Sequence, residues 1–140
     1  MKSTRHIFSL EEANALLAEL ETLLAGCHER IVTYTRRHDE LLMHELLADA
    51  EGAGKTPDTS MILEDDAQNV DASVLELEKE IDKLRALGCV IRDMERGWVD
   101  FPGRIEGQQV YFCWRRGEPF IRFYHPLKAR CRLEERRPIT

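Results

Sequence analysis

The 140-residue sequence lacks the long apolar runs and the close cysteine pairs that mark several classes of protein. No stretch approaches the roughly 18 apolar residues that cross a membrane. Charged residues interrupt the apolar positions at the start of the chain, where a signal peptide needs a continuous apolar core. The four cysteines are far apart in sequence, without the CxxC spacing typical of zinc sites. The sequence therefore predicts a cytoplasmic protein with reduced thiols and no membrane association.

Signatures of catalysis and of cofactor binding are also missing. Residues 52–56 resemble part of a phosphate-binding loop, but the first glycine of that motif is absent and no strand precedes it. Neither helical region contains the Glu-x-x-His pair of a di-iron bundle. These absences favour a protein that is not an enzyme and holds no cofactor, with a single zinc or iron ion as an alternative.

Two segments have the apolar spacing of long helices that pack against each other. The first begins behind a capping box, Ser9 with Glu12, and covers about residues 10–48. Residues 49–60 contain two glycines and a proline, which predict a flexible loop. The second helix covers about residues 63–87. The pattern predicts a long antiparallel hairpin resembling a coiled coil, and its apolar seams could also pair in a homodimer.

Charge is distributed unevenly along the chain. Residues 1–88 carry 9 Lys and Arg against 19 Asp and Glu, a net charge of −10. Residues 89–140 carry 11 against 7, a net charge of +4. The acidic helical part would repel phosphate groups, so nucleic acid is an unfavourable partner despite the basic second part.

Aromatic residues concentrate in residues 98–125, which contain both tryptophans and four of the five phenylalanines. Strand-forming residues surround two glycine-containing dipeptides, at 106–107 and 117–118, that suit tight hairpin turns. This pattern predicts a three-stranded antiparallel meander packed on the helices, followed by a basic arm over residues 126–140. The predicted fold class is α+β, in a single domain.

Two-residue turns at both dipeptides would determine which residues pair across the strands. Asp100 would lie opposite Cys113, and Cys113 would lie opposite Arg122. His125 would then lie opposite Val110, on the apolar face that we assign to the helices. This predicted register separates the histidine from the aspartate and the cysteine.

Four residues of this region have the chemistry of a metal or thiol site and define an alternative function. They are His125, Glu118, Asp100 and Cys113. Histidine and carboxylate side chains bind zinc or iron, and neighbouring arginines lower the pKa of a thiol. The predicted register opposes such a site, because Glu118 would lie about 20 Å along the strand from His125. It favours instead a partly buried histidine and a cross-strand ion pair of Asp100 with Arg115 or Arg122.

The opposite face of the predicted sheet combines aromatic and arginine side chains. They are Trp98, Tyr111, Arg115, Arg122 and Tyr124. This combination is typical of surfaces that bind proteins or stacked bases, although the C-terminal arm or a second subunit could also cover it. The leading interpretation is an interaction or scaffold protein that forms a homodimer and binds an unidentified protein partner. Nucleic-acid binding through this face and the basic arm is a further alternative.

Three groups of residues form a recognisable combination. They are FSLEEANALL at residues 8–17, RDMERG and VDFP within residues 92–102, and VYFCWR, GEP and YH within residues 110–125. The combination resembles an uncharacterised bacterial family catalogued as domain of unknown function 2203, over nearly the whole chain. The chain departs from the family pattern at Ala18, where the family often has proline, and at residues 128–132. The resemblance supports the predicted fold and implies no particular activity.

Overall fold

Helices form the first part of the chain and strands the second. The structure, a computed structural model, describes residues 6–50, 57–127 and 135–139. Its elements are α1 (Leu10–Ala15), α2 (Leu17–Ala50), α3 (Pro57–Ala86), β1 (Val90–Asp93), β2 (Trp98–Ile105), β3 (Gln108–Arg115), β4 (Phe123–Pro126) and β5 (Arg137–Pro138). This confirms the α+β fold class, with a five-stranded sheet in place of the three strands predicted.

The capping box predicted at the start of the first helix is present. The Ser9 hydroxyl accepts a hydrogen bond from the Glu12 N–H at 3.1 Å, and the Glu12 carboxylate accepts one from the Ser9 N–H at 3.0 Å. The two bonds satisfy N–H groups that the first turn of a helix leaves unpaired, and they hold the pKa of Glu12 below its ordinary value. The predicted helix is nevertheless interrupted, because Leu16 forms a turn between α1 and α2.

The chain divides into two compact units. The sheet unit contains the described residues up to Leu24 and from Lys83 onward, and the hairpin unit runs from Ala25 to Asp82. Both long helices contribute residues to both units. Among the described residues, no helix is both long enough and apolar enough to span a bilayer.

In the hairpin unit, α2 and α3 run antiparallel. Their contacts advance along α2 while they recede along α3: Arg30 with Glu76, Arg37 with Ser73, and His44 with Asp66. The helices extend further than predicted, since α2 continues to Ala50 and α3 begins at Pro57, a residue suited to a first helical turn. The rest of the predicted loop, residues 51–56, lies outside the described residues.

The five strands form one antiparallel sheet in chain order, and its first long hairpin has the predicted register. Trp98 pairs with Arg115, and Asp100 pairs with Cys113. Residues 106 and 107 have φ angles of 51° and 81°, as a two-residue type I′ turn requires. The two-residue turn between β2 and β3 is therefore confirmed.

The predicted register of the next strand pair is wrong by one residue. His125 pairs with Tyr111 rather than with Val110, and Cys113 pairs with Phe123. Side chains alternate between the two faces of a strand, so a shift of one residue transfers His125 to the other face of the sheet.

The cause of this shift lies between β3 and β4. The Glu118 N–H donates to the Arg115 carbonyl at 3.0 Å and closes a turn. Pro119 then offers no N–H, and the Ile121 N–H donates to the side chain of Asn14 in α1 at 2.8 Å. This part of the chain therefore follows the helix, and strand pairing resumes only in β4.

Neither outer strand was predicted as part of the sheet, although residues 89–91 form a short run of strand-forming residues. β1 pairs with β2, with an irregularity between Ile91 and Asp93, so the sheet begins before Trp98. β5 lies in the predicted basic arm and pairs with β4 through Arg137 and Pro138. Residues 128–134 of that arm lie outside the described residues.

The apolar core of the sheet unit occupies the face opposite Asp100. Its buried residues include Val99, Phe101, Phe112, Trp114 and Ile121 from the strand region, and Ala13, Leu17 and Leu20 from the helices. Packing is tight at Gly103, where an added Cβ atom would lie 2.2 Å from the Phe112 ring. The close approach of that ring explains why β2 has a glycine at this position.

Candidate functional site

Asp100 is the centre of a buried polar cluster in the sheet unit. Its side chain is 0% exposed. Oδ2 accepts a hydrogen bond from Arg92 Nε at 2.7 Å and lies 2.8 Å from His125 Nε2, while Oδ1 accepts one from Trp98 Nε1 at 3.1 Å. A buried carboxylate is costly unless it is both paired with positive charge and fully hydrogen-bonded, and these neighbours meet both conditions.

His125 reaches Asp100 because of the observed strand register. It lies opposite Tyr111, two residues along β3 from Cys113, on the face that carries the aspartate and the cysteine. Its side chain is 1% exposed, and its ring centroid lies 5.4 Å from that of Tyr111. The second ring nitrogen, Nδ1, lies 3.3 Å from the Pro126 carbonyl oxygen. The structure thus unites residues that the predicted register had separated.

Cys113 completes the cluster. Its Sγ, an Asp100 carboxylate oxygen and a His125 ring nitrogen lie within 4.8 Å of one another. Burial raises the pKa of the Cys113 thiol to about 12, and the negative charge of Asp100 adds to this effect. Such a thiol is almost entirely protonated near neutral pH and is a poor nucleophile. The geometry therefore gives little support to a thiol-based activity.

Arg92, the cationic member of the cluster, was missed by the sequence analysis. It lies on β1, and the available signal was only the short run of strand-forming residues before it, at 89–91. Its guanidinium carbon lies 4.9 Å from the centre of the Tyr111 ring. Burial lowers the pKa of Arg92, but the ion pair with Asp100 outweighs that effect and raises the pKa above its ordinary value.

Glu118 lies apart from the cluster. Its carboxylate accepts a hydrogen bond from the Arg115 backbone N–H at 2.7 Å and pairs with Arg136 at 2.9 Å. A weaker contact joins it to Arg122 at 3.8 Å. Glu118 therefore stabilises the turn after β3. The ion pair expected between Asp100 and Arg115 or Arg122 is wrong, because Asp100 has other partners.

The five aromatic and arginine candidates for partner binding do not share one face of the sheet. Trp98, Tyr111 and Arg115 lie on the face of Asp100, whereas Tyr124 pairs with Phe112 on the other face. Arg122 precedes β4 and pairs with Glu118. Tyr111 is also only 7% exposed. The strand shift therefore divides the surface that the sequence predicted as a single platform.

One family model matches the chain from the start of its first helix region to β5. The match covers residues 6–139, and the family is described as Uncharacterized conserved protein (DUF2203). The chain belongs to this family. No curated protein and no solved structure shows significant similarity to it. Membership in DUF2203 confirms the resemblance noted in the sequence and assigns no chemistry to the cluster around Asp100.

The hairpin unit of this DUF2203 protein has a surface of a different kind, on which many large apolar side chains are exposed. On α2 they are Val32, Leu42, Met43, Leu46 and Leu47, and on α3 they are Met61, Ile62, Val74 and Leu75. Single exposed apolar residues are common on protein surfaces, whereas large exposed apolar patches are typical of interaction sites.

A shallow groove of about 610 Å³ lies along one face of α2. It is lined by Ile31, Val32, Thr35, Arg36, Asp39, Glu40, Met43 and His44. Residues three and four apart lie on the same side of a helix, so these side chains form a continuous strip. The middle of the strip contains Arg36 and Asp39, of opposite charge, and apolar Val32 and Met43 lie on either side of them. These four residues of the lining therefore have the same apolar–charged–charged–apolar order in both directions along the helix.

Proposed function

We propose that this protein is a self-associating interaction module, and that a second copy of the same chain occupies the α2 groove. The observation that supports this is the symmetric order of four residues that line the groove. When two copies of α2 lie antiparallel about a point between Arg37 and His38, Val32 of each copy faces Met43 of the other. Arg36 of each copy likewise faces Asp39 of the other.

A two-fold axis repeats each of these contacts, so the interface pairs opposite charges twice and apolar side chains twice. Val32, Arg36, Asp39 and Met43 have the alternating spacing of four and three residues along which helices pack in coiled coils. Neither Arg36 nor Asp39 makes an ion pair with another described residue, so both are available to a partner. The apolar contacts would supply most of the affinity, and the charges would select the antiparallel alignment.

In this proposal the protein acts without catalysis, in the bacterial cytoplasm. Cys27, Cys89 and Cys113 are buried free thiols, which suits a reducing compartment. The scaffold role depends on the hairpin surface and requires no cofactor.

Exchange of the two groove charges tests the proposal, with the mass of the full chain measured by light scattering over a range of concentrations. We expect the wild type to form a dimer as its concentration rises. Arg36→Asp and Asp39→Arg should each weaken the dimer by about tenfold, because like charges would face each other twice. The double variant R36D/D39R restores opposite charges and should restore the dimer.

Lys79→Asp is the matched control, since it reverses an exposed charge in the same unit at a position that does not line the groove. It should dimerise as the wild type does. A wild type that stays monomeric at all concentrations would contradict the proposal. So would a double variant that associates no better than the single variants.

A further inference from the structure

The buried cluster of the sheet unit brings a nitrogen, an oxygen and a sulfur donor together. Asp100, Cys113 and His125 come from three neighbouring strands, and their donor atoms lie within 4.8 Å of one another. All three side chains are buried. Zn²⁺ in proteins is bound by these same donor types, at about 2.0–2.3 Å. Exposed carboxylate groups often cluster on protein surfaces without binding an ion, whereas these three residues are buried and include a thiol and an imidazole.

The surroundings of His125 indicate a place for a cation. Nε2 lies 2.8 Å from Asp100 Oδ2, and Nδ1 lies 3.3 Å from the Pro126 carbonyl oxygen. A neutral imidazole has one N–H and one lone pair, so it can donate a hydrogen bond to only one of these oxygens. The other nitrogen would then direct its lone pair at an oxygen lone pair. A metal ion between Nε2 and Oδ2 would take a lone pair from each atom and leave the ring proton on Nδ1, where it can be donated to the Pro126 carbonyl.

We propose that the cluster is a binding site for a divalent ion with the coordination chemistry of zinc, and that Asp100, Cys113 and His125 are its protein ligands. The Nδ1–H of His125 would donate to the Pro126 carbonyl, as the second ring nitrogen of a ligating histidine commonly does. Arg92, which donates to the same Asp100 oxygen, would remain paired with the carboxylate. This inference goes beyond the self-association of the hairpin and does not depend on it.

Binding exchanges a proton for the ion. The ion takes the place of the proton between Nε2 and Oδ2 and displaces the thiol proton of Cys113, because thiols bind zinc as thiolates. The thiol proton leaves to solvent and the ring keeps one proton, on Nδ1. The carboxylate and the thiolate offset the two charges of the ion, and Arg92 leaves the cluster with one net positive charge. Nε2 and Oδ2 must separate by roughly half an ångström to reach the spacing of a tetrahedral site. The side chains therefore need only a small rearrangement.

The cluster is also complete without an ion. Within the described part of the chain, no buried side-chain nitrogen or oxygen lacks a hydrogen-bond partner. Arg92 contacts the same Asp100 oxygen as His125 and adds a positive charge that opposes a second cation. A measurement of metal affinity therefore distinguishes the two interpretations of the cluster, a metal-binding site or a purely structural ion pair.

Cobalt(II) is a suitable probe, because it adopts the tetrahedral geometry of zinc and absorbs light in that geometry. The full chain is first stripped with a chelator under reducing conditions and then titrated with cobalt alone. We expect visible absorption and a thiolate-to-cobalt band that saturate at equal amounts of ion and chain. Added zinc should displace the cobalt and remove both signals.

Substitutions locate the site. Cys113→Ser should abolish the thiolate band, and His125→Gln should weaken binding by about tenfold or more. Cys89→Ser is the matched control, since it changes another buried thiol outside the cluster and should leave the titration unchanged. Circular dichroism checks that each variant is folded. If His125→Gln does not fold, the cobalt titration of Cys113→Ser alone tests the proposal. A wild type that binds no cobalt overturns the proposal, as does a thiolate band that survives in Cys113→Ser.

Discussion

The two units of this protein distribute their polar and apolar groups in opposite ways. The sheet unit buries Asp100 and His125 completely and surrounds them with hydrogen-bond partners. The hairpin unit leaves large apolar side chains such as Met43 and Leu46 in contact with water, each 57% exposed. Buried polar groups destabilise the fold unless each one has its hydrogen-bond partners. Exposed apolar groups are different, because covering them with another surface lowers the free energy. The difference separates residues that maintain the fold from residues available to a partner.

Asp100→Ala should produce the largest loss of stability, because it removes the common partner of Arg92 and His125. Removal of one member of a buried ion pair costs about 3–5 kcal/mol in the free energy of unfolding. Urea denaturation of the variant and the wild type measures the loss. Glu76→Ala is the control, since it removes a partly exposed pair with Arg30 at 3.0 Å in the hairpin unit and should cost less than about 1 kcal/mol. Equal losses of stability from the two variants would show that the buried cluster contributes no more to stability than an exposed ion pair.

Two glycine substitutions compare the packing of the units. Gly103→Ala would place a Cβ atom 2.2 Å from the Phe112 ring, and such overpacking costs about 1–3 kcal/mol. Gly26→Ala in the hairpin unit meets only the end of the Glu80 side chain, at 3.2 Å, and alanine favours a helix by about 1 kcal/mol. Thermal unfolding should show a lower midpoint for the first variant and an equal or higher midpoint for the second. A Gly103→Ala variant as stable as the wild type would show that Phe112 can move aside.

The smallest expected effect is the loss of stability over the first pH unit above the ordinary thiol pKa. Burial raises the pKa of the Cys113 thiol to about 12 and that of the Cys89 thiol to about 11, from an ordinary value of 9.0. Above that ordinary value the unfolded chain loses thiol protons that the folded chain keeps. The contribution of these thiols to stability is therefore complete below about pH 9 and declines as the pH rises toward about 12.

Cys113→Ser isolates the thiol contribution from that of other groups that titrate in the same range. The urea midpoint of the wild type should fall more between about pH 8 and about pH 10 than that of Cys113→Ser. Parallel declines of the two proteins would show that the Cys113 thiol ionises as easily in the folded chain as in the unfolded chain.

The elements that could be predicted from the sequence depend on signals between neighbouring residues. Ser9 and Glu12 are three residues apart and form the capping box by themselves. The turn at residues 106–107 determines the register of β2 and β3, because both strands continue directly from it. The apolar spacing of the helices has the same local character, so the two long helices were predicted, although their ends are displaced and the break at Leu16 was missed.

The composition of the polar cluster could not be predicted, because it depends on contacts between distant parts of the chain. The segment that leads into β4 donates a hydrogen bond from Ile121 to Asn14, a residue of the first helix. No pattern around His125 reveals that bond, and without it the histidine is assigned to the wrong face. Arg92 was missed for a similar reason, since β1 is defined by its pairing with β2 and too short for a clear alternating pattern.

The outer strands of the sheet limit how one chain can meet another. β5 has only two residues, one of them Pro138, which has no N–H to donate. β1 has four residues and an irregular pairing between Ile91 and Asp93. Short, interrupted or proline-containing edges are poor templates for added strands, so they protect newly made chains from edge-to-edge aggregation. Neither outer strand therefore offers a second chain a long, regular row of backbone groups to pair with.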